Sequence, residues 1–316
     1  MYKILISDKL GQAGLDRLDE MDDMAYEMIT GLSKSELIAA IPEYDALIIR
    51  SGTKPDADII AAGEKLKVIG RAGIGVDNVD IEAATQNDVL VMNTPRANSV
   101  ATAEQTMALM LAVNRNTTPA HNSLAAGDWD RATYVGSELD GKTLGIIGFG
   151  YIGRLVAHRA AAFGMNIIAA DPYVSEASAA ESGAQLLPLS ELLARADIIS
   201  LHSVVTPETL NMIDEGAIEQ MKDGVVIVNV ARGKLIDEQA LADAISSGKV
   251  GAAALDVYQQ EPPEGSPLIG LPNVLHTPHL GASSREAQRR VAVEMVEQVA
   301  DALRGIEYRN VINPPA

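Results

Sequence analysis

The sequence predicts an α/β protein built on two parallel sheets, and three observations carry that prediction. Short β-rich runs alternate with helix-length text along nearly the whole chain. A glycine turn, Gly148-Phe149-Gly150-Tyr151-Ile152-Gly153, stands between an apolar strand and a helix. The 316 residues, 47% of them hydrophobic, suffice for about two domains on the rough scale of ~150 residues each.

In chain order, 3–7, 46–50, 67–70 and 89–93 read as strands. Ser33 stands three residues before Glu36, the spacing of a capping box, and Leu37, Ile38 and Ile41 follow at helical intervals. Strand, helix, strand order implies a parallel sheet. Residues 99–126 read as one long, mostly apolar helical stretch linking two domains. From Lys142 a strand, the glycine turn, a helix and a second strand ending at Asp171 complete a βαβ unit. Buried strands are expected at 198–202, 225–230, 252–257 and 273–277. A last helix, 283–304, is long enough to return to the first domain. The expected division is a discontinuous domain of 1–97 with 285–316 and a second domain of 98–284.

Composition excludes several classes. With 25 Lys+Arg against 43 Asp+Glu the net charge is −18, which opposes binding to nucleic-acid phosphates or anionic membranes. The absence of cysteine rules out disulfides, thiolate metal sites and Cys nucleophiles, and no metal site is predicted. The first apolar run is too short for a signal peptide, and no run reaches a membrane span, so a cytoplasmic protein is expected.

The glycine turn matches G-x-G-x-x-G in the context a dinucleotide fingerprint requires, between strand and helix and with an acidic residue ending the next strand. Gly148 makes the turn, Gly150 lets backbone approach a pyrophosphate and Gly153 allows close helix packing. The helix amino terminus favours phosphate charge. Asp171 can accept from ribose hydroxyls and would repel a 2′-phosphate, which favours NAD over NADP. A flavin is the other reading of such a fold, with nothing beyond the fingerprint to support it.

Arg232, Glu261 and His279 fall just after three of the later strands, where a doubly wound sheet lines its ligand crevice. Oxidising a hydroxyl beside a carboxylate needs a cation for the carboxylate, a base for the hydroxyl proton and a hydride acceptor. Arg232 suits the first role, His279 the second, and Glu261 would hold the imidazole's other nitrogen and fix its tautomer. The alternatives are a loop histidine, a solvated turn carboxylate and a helix-end counter-charge. His121, His158 and His276 are read as structural histidines of that kind.

The segments GRAGIGVDNVD, VMNTPRANS, GKTLGIIGFGYIGR, NVARG, ALDVYQQEPP and TPHLGASSREAQ together resemble the D-2-hydroxyacid dehydrogenases, from Tyr2 to about Pro314. The resemblance implies a doubly wound Rossmann NAD-binding domain plus a smaller flavodoxin-like α/β substrate domain built from both chain ends. It implies the catalytic set Arg232, Glu261 and His279. It also implies NAD contacts at Tyr151, Ile152, Asp171, Ser203, Val230, Ala231, Gly281 and Ala282, with Asp256 on the nicotinamide amide. Arg50, Ser51, Arg71, Ala72 and Gly73 would meet the substrate, a small anionic 2-hydroxy or 2-oxo acid, and Arg131 would reach in from a partner subunit. A homodimer is therefore expected, with a tetramer as a further pairing. Each of these arginines also has a surface reading. The expected substrate is 3-phosphoglycerate. The alternatives are glycerate/hydroxypyruvate, a sulfonated analogue, or an NADH-sensing co-repressor. With the text ending at INPPA, no carboxyl-terminal regulatory domain and no serine feedback are expected.

Overall fold

The computed structural model describes residues 1–314; Pro315 and Ala316, the end of the expected substrate domain, lie outside the described residues. The chain divides into two compact units, Met1–Ser99 with Ala282–Ala316, and Val100–Gly281.

The first unit runs β1 (Tyr2–Ile6), α1 (Gln12–Asp19), β2 (Met24–Met28), α2 (Lys34–Ala40), β3 (Ala46–Ile49), α3 (Ala57–Ala62), β4 (Val68–Arg71), α4 (Ile81–Gln86) and β5 (Leu90–Asn93). Its sheet has the order β2-β1-β3-β4-β5, all parallel. That is the flavodoxin-like order, with helices on both faces. Both faces are therefore apolar. Leu5, Leu47, Ile49, Ile69 and Val91 pack on one side, and Ile4, Ile6, Ile48, Val68 and Met92 on the other. The α2 helix opens with the expected capping box: the Ser33 side chain accepts from the Glu36 N–H, and the Glu36 carboxylate accepts from the Ser33 N–H at 2.8 Å.

The second unit holds α5 (Ser99–Asn114, which begins one residue before the division), α6 (Thr117–Ala125), β6 (Thr143–Ile147), α7 (Tyr151–Ala162), β7 (Asn166–Ala170), α8 (Glu176–Glu181), β8 (Gln185–Leu186), α9 (Leu189–Arg195), β9 (Ile198–Leu201), α10 (Glu215–Glu219), β10 (Val225–Asn229), α11 (Glu238–Ser247), β11 (Val250–Leu255) and β12 (Val274–His276). Its seven parallel strands lie in the order β12-β11-β10-β9-β6-β7-β8. The order reverses at β6, which pairs with β7 on one side and β9 on the other, the doubly wound Rossmann arrangement. The chain then re-enters the first unit as α12 (Arg285–Arg304), capped by the Ser284 side chain, whose Val291, Met295, Val296 and Val299 join that unit's core.

Three expectations differ from the structure. The stretch 99–126 is two helices, broken where Asn116 adopts a left-handed φ of 51°. A continuous helix would need an N–H at Pro119 to donate to the Arg115 carbonyl, and proline has none. Edge strands β2 and β8 were not expected; β2 is exposed along its second half and β8 is two residues long, so neither has a buried apolar run. The division falls at 99/100 and 281/282 rather than 97/98 and 284/285.

Candidate functional site

At the end of β6 the chain turns through Gly148 at φ 89°, where a side chain would start 2.6 Å from the backbone of His202 and Ser203. Only glycine meets both demands. Gly150 is the N-cap of α7, and a Cβ there would point into open space. At Gly153 a Cβ would run into the Gly148 carbonyl, so the last glycine lets the helix lie against the turn. Tyr151 and Ile152 form the first turn of α7, whose amide end faces outward at the fingerprint. Asp171, after β7, accepts from the N–H of Phe149 and of Tyr173, both at 2.8 Å. The residues thus fit a dinucleotide: a bare glycine surface at a helix amino terminus, with a carboxylate at the end of the neighbouring strand.

One contributor escaped the sequence reading. Arg154 donates from Nε to the Phe149 carbonyl (3.1 Å), and its Nη atoms reach the Ser178 carbonyl (2.9 Å), the Ser178 hydroxyl (3.0 Å) and the Ser182 hydroxyl (3.0 Å). It ties the glycine turn to α8. Its place directly after Gly153 was the available signal.

The loops after β10, β11 and β12, three neighbouring strands, bring Arg232, Glu261 and His279 to the carboxyl edge of the same sheet. His279 Nδ1 and Glu261 Oε2 are 2.7 Å apart, and both side chains are part-exposed. The other Glu261 oxygen accepts from the Tyr258 N–H at 3.2 Å. Burial pushes the Glu261 carboxyl up, but the hydrogen bond and charge of His279, the Tyr258 N–H and the Arg232 charge outweigh it and hold the group below the ordinary carboxylate range. Gly233, next to Arg232, lies so close to the Tyr258 backbone that no side chain fits, which presses the Arg232 and Glu261 loops together.

Beneath this pair lies a buried polar layer. Asp256 is fully buried and accepts from the Thr277 hydroxyl (2.5 Å) and the N–H groups of Leu280 and Gly281 (2.8 Å each). Its carbonyl accepts from the His279 N–H at 2.9 Å, and His279 itself adopts a left-handed φ of 55°. Asn229, also fully buried, accepts from the Ala231 N–H (3.0 Å) and donates to the Arg232 carbonyl (2.9 Å). Thr277 and Asn229 were not foreseen; their positions at strand ends carried the signal. Gly281 lies against Val230 and Asp256 and leads into Ala282, while Ser203 lies against Gly148. His276 is in β12 with its Nδ1 3.1 Å from the Tyr258 hydroxyl, whereas His121 and His158 are in α6 and α7 rather than loops.

In the first unit, Arg71 ends β4 and Ile49, its register partner, ends β3, so Arg50 and Arg71 leave neighbouring strands at one sheet edge. The Arg71 guanidinium lies over Gly73, whose carbonyl accepts from the Thr94 N–H at 3.0 Å. Ala72 is buried and Ser51 exposed. Arg131 is exposed in the stretch that follows α6.

Residues 107–281 match the family described as "D-isomer specific 2-hydroxyacid dehydrogenase, NAD binding domain". A protein of Methanocaldococcus jannaschii named D-3-phosphoglycerate dehydrogenase is 50% identical over 316 residues, which are 100% of this chain and 60% of that protein. The chain thus spans about 60% of the length of the curated relatives it matches first. Among solved structures, the TT0316 protein of Thermus thermophilus superposes with a TM-score of 0.90 at 37% identity, covering 98% of this chain and 99% of that one. D-lactate dehydrogenase of Aquifex aeolicus, solved with NAD and lactic acid, superposes with a TM-score of 0.89 at 27% identity, covering 99% of this chain and 100% of that one. The chain belongs to the D-isomer specific 2-hydroxyacid dehydrogenases, and the glycine turn, α7 and the loops after β10 to β12 lie in the part that matches the family's NAD-binding domain.

Proposed function

We propose that the protein oxidises D-3-phosphoglycerate at C2 to 3-phosphohydroxypyruvate, the entry into serine synthesis, with His279 as acid and base. The observation that carries the chemistry is the His279–Glu261 contact of 2.7 Å. Glu261 is held ionised, so Nδ1 must be the donor and Nε2 exchanges the proton. As the C2–H bond breaks with its electron pair and the C2–O double bond forms, Nε2 takes the hydroxyl proton. The imidazolium that results is stabilised by the Glu261 carboxylate. Arg232 holds the substrate carboxylate through its planar fork. NAD, when bound, would supply the hydride acceptor; the backbone of Gly150, Tyr151 and Ile152 would hold its pyrophosphate, Asp171 its ribose, and Ser203, Val230, Ala231, Asp256, Gly281 and Ala282 its nicotinamide portion. Arg50, Ser51 and Arg71, with Ala72 and Gly73, read the second anion, which makes the first unit the substrate domain.

Support for the substrate comes from the relatives named D-3-phosphoglycerate dehydrogenase, together with two arginines leaving adjacent strands. The test is NADH oxidation with 3-phosphohydroxypyruvate and with hydroxypyruvate at equal concentration. A strong preference for the phosphorylated acid is expected. Equal or reversed rates would return Arg50 and Arg71 to a surface role.

The protein is further read as a cytoplasmic homodimer, with Arg131 contributed to the partner's substrate site. The support is exposed apolar surface: Leu124 on α6, and Trp129 and Val135 in the stretch after it, are 56%, 80% and 77% exposed. No helix among the described residues is long and apolar enough to cross a membrane.

A further inference from the structure

The loop 50–53 carries Arg50 and Ser51 but belongs to no helix or strand, so side chains from elsewhere must fix its shape. Two do so from opposite chemical sides. Asp8, just after β1, accepts with Oδ2 from the N–H of Arg50 (2.6 Å) and of Thr53 (3.0 Å). Asn78, between β4 and α4, donates from Nδ2 to the carbonyls of the same two residues, at 2.7 and 2.6 Å. An acceptor-only carboxylate thus takes both N–H groups, and an amide donor takes both carbonyls. The Ser7 hydroxyl adds a contact to the Thr53 hydroxyl at 2.8 Å. Asp8 Oδ1 lies 2.6 Å from where a side chain on Gly52 would begin, so the carboxylate fills that space.

The geometry points to Asp8 and Asn78 as positioning residues that set the 50–53 loop and, through it, selectivity for an acid with a second anion. This rests on the proposed role of Arg50 and Ser51. Without the clamp, Arg50 and Ser51 must be ordered at the moment of binding, and that cost falls only on substrates that use them. The carboxylate also removes two loop N–H groups from the anion's reach, leaving recognition to the side chains.

The variants are Asn78→Ala, Asp8→Ala and the isosteric Asp8→Asn, in which the remaining oxygen still accepts both N–H groups. Asn78→Ala and Asp8→Ala are expected to raise KM for 3-phosphohydroxypyruvate about tenfold or more, the scale of two lost hydrogen bonds. In the same variants kcat, KM for NADH and KM for hydroxypyruvate should stay within about twofold, and Asp8→Asn should recover most of the selectivity. Parallel losses on both acids with a lowered Tm would reduce the clamp to a fold contact and overturn the proposal, as would an unchanged KM. Hydrogen exchange at Arg50 and Thr53 separates this from the substrate reading. Should the wild type show no preference for the phosphorylated acid, faster exchange of these two amides in Asn78→Ala and Asp8→Ala would still establish the clamp, and unchanged exchange would refute it.

Discussion

His279 owes its position to atoms that never reach the substrate. Its backbone is left-handed, its N–H is tied to the Asp256 carbonyl, and the next two amides close on the Asp256 carboxylate. A buried carboxyl group with three donors is rigid, because releasing any one leaves buried polar groups without a partner. His279→Ala should therefore spare the loop and cut turnover by ~10² to 10⁴ with NAD affinity nearly unchanged, measured by steady-state rates and NADH fluorescence titration. Unchanged turnover would remove His279 from the chemistry. The proposed trio of Arg232, Glu261 and His279 stands out in the sequence because its residue types match a reaction. Asp256 as a loop anchor, Asn229 and Thr277 do not, since a short polar residue at a strand end has many structural uses. His202 went unremarked for the same reason. Burial pushes its pKa down from 6.5 to about 4, with Nε2 2.8 Å from the Ser200 hydroxyl. Between those pH values the unfolded chain binds a proton that the folded chain refuses. Stability must then rise with pH through that window and be lost as pH falls, by at most ~1.4 kcal/mol per unit. Urea unfolding at pH 7, 6 and 5 should show a steeper loss in wild type than in His202→Asn, and equal losses would mean that other groups set the slope.

Among the elements, the glycine turn shows how three identical residues meet different demands. Gly153 is filled from behind by the Gly148 carbonyl, whereas Gly150 faces nothing. Gly153→Val should push α7 off β6 and lower Tm, while Gly150→Ala should keep Tm within a degree or two and still weaken NAD at least tenfold, because the methyl occupies the approach to the pyrophosphate. Calorimetry with NADH titration checks both; retained affinity in Gly150→Ala would move the phosphate elsewhere. This unit was readable from sequence because strand, turn, helix and acidic end fall within one short segment. The break at Asn116 is marked only weakly: the apolar run stops at Val113, polar helix-compatible text follows, and Pro119 alone interrupts the hydrogen-bond ladder. Strand β2 was hidden by its exposure: at a sheet edge it needs no apolar alternation.

For the whole molecule the governing quantity is charge. Each chain carries −18, so bringing two copies together costs repulsion that only contact surface can offset. One such surface is α6 and the stretch after it, where Leu124 on the helix and Trp129 and Val135 beyond it are exposed. Apolar contact is insensitive to moderate salt, while repulsion between like-charged chains falls as the screening length shrinks from ~10 Å at 0.1 M to ~3 Å at 1 M. The dimer should therefore tighten as salt rises, the reverse of an assembly held by ion pairs. Sedimentation equilibrium between 0.05 and about 1 M NaCl reads this directly, with the dimer dissociation constant expected to fall. Leu124→Glu with Trp129→Glu adds charge to the contact and should give a monomer whose far-ultraviolet circular dichroism is unchanged, since neither side chain is buried within its own chain. A wild-type monomer at all salt concentrations, or a dimer indifferent to both substitutions, would place the contact elsewhere and leave Arg131 without a partner site to enter.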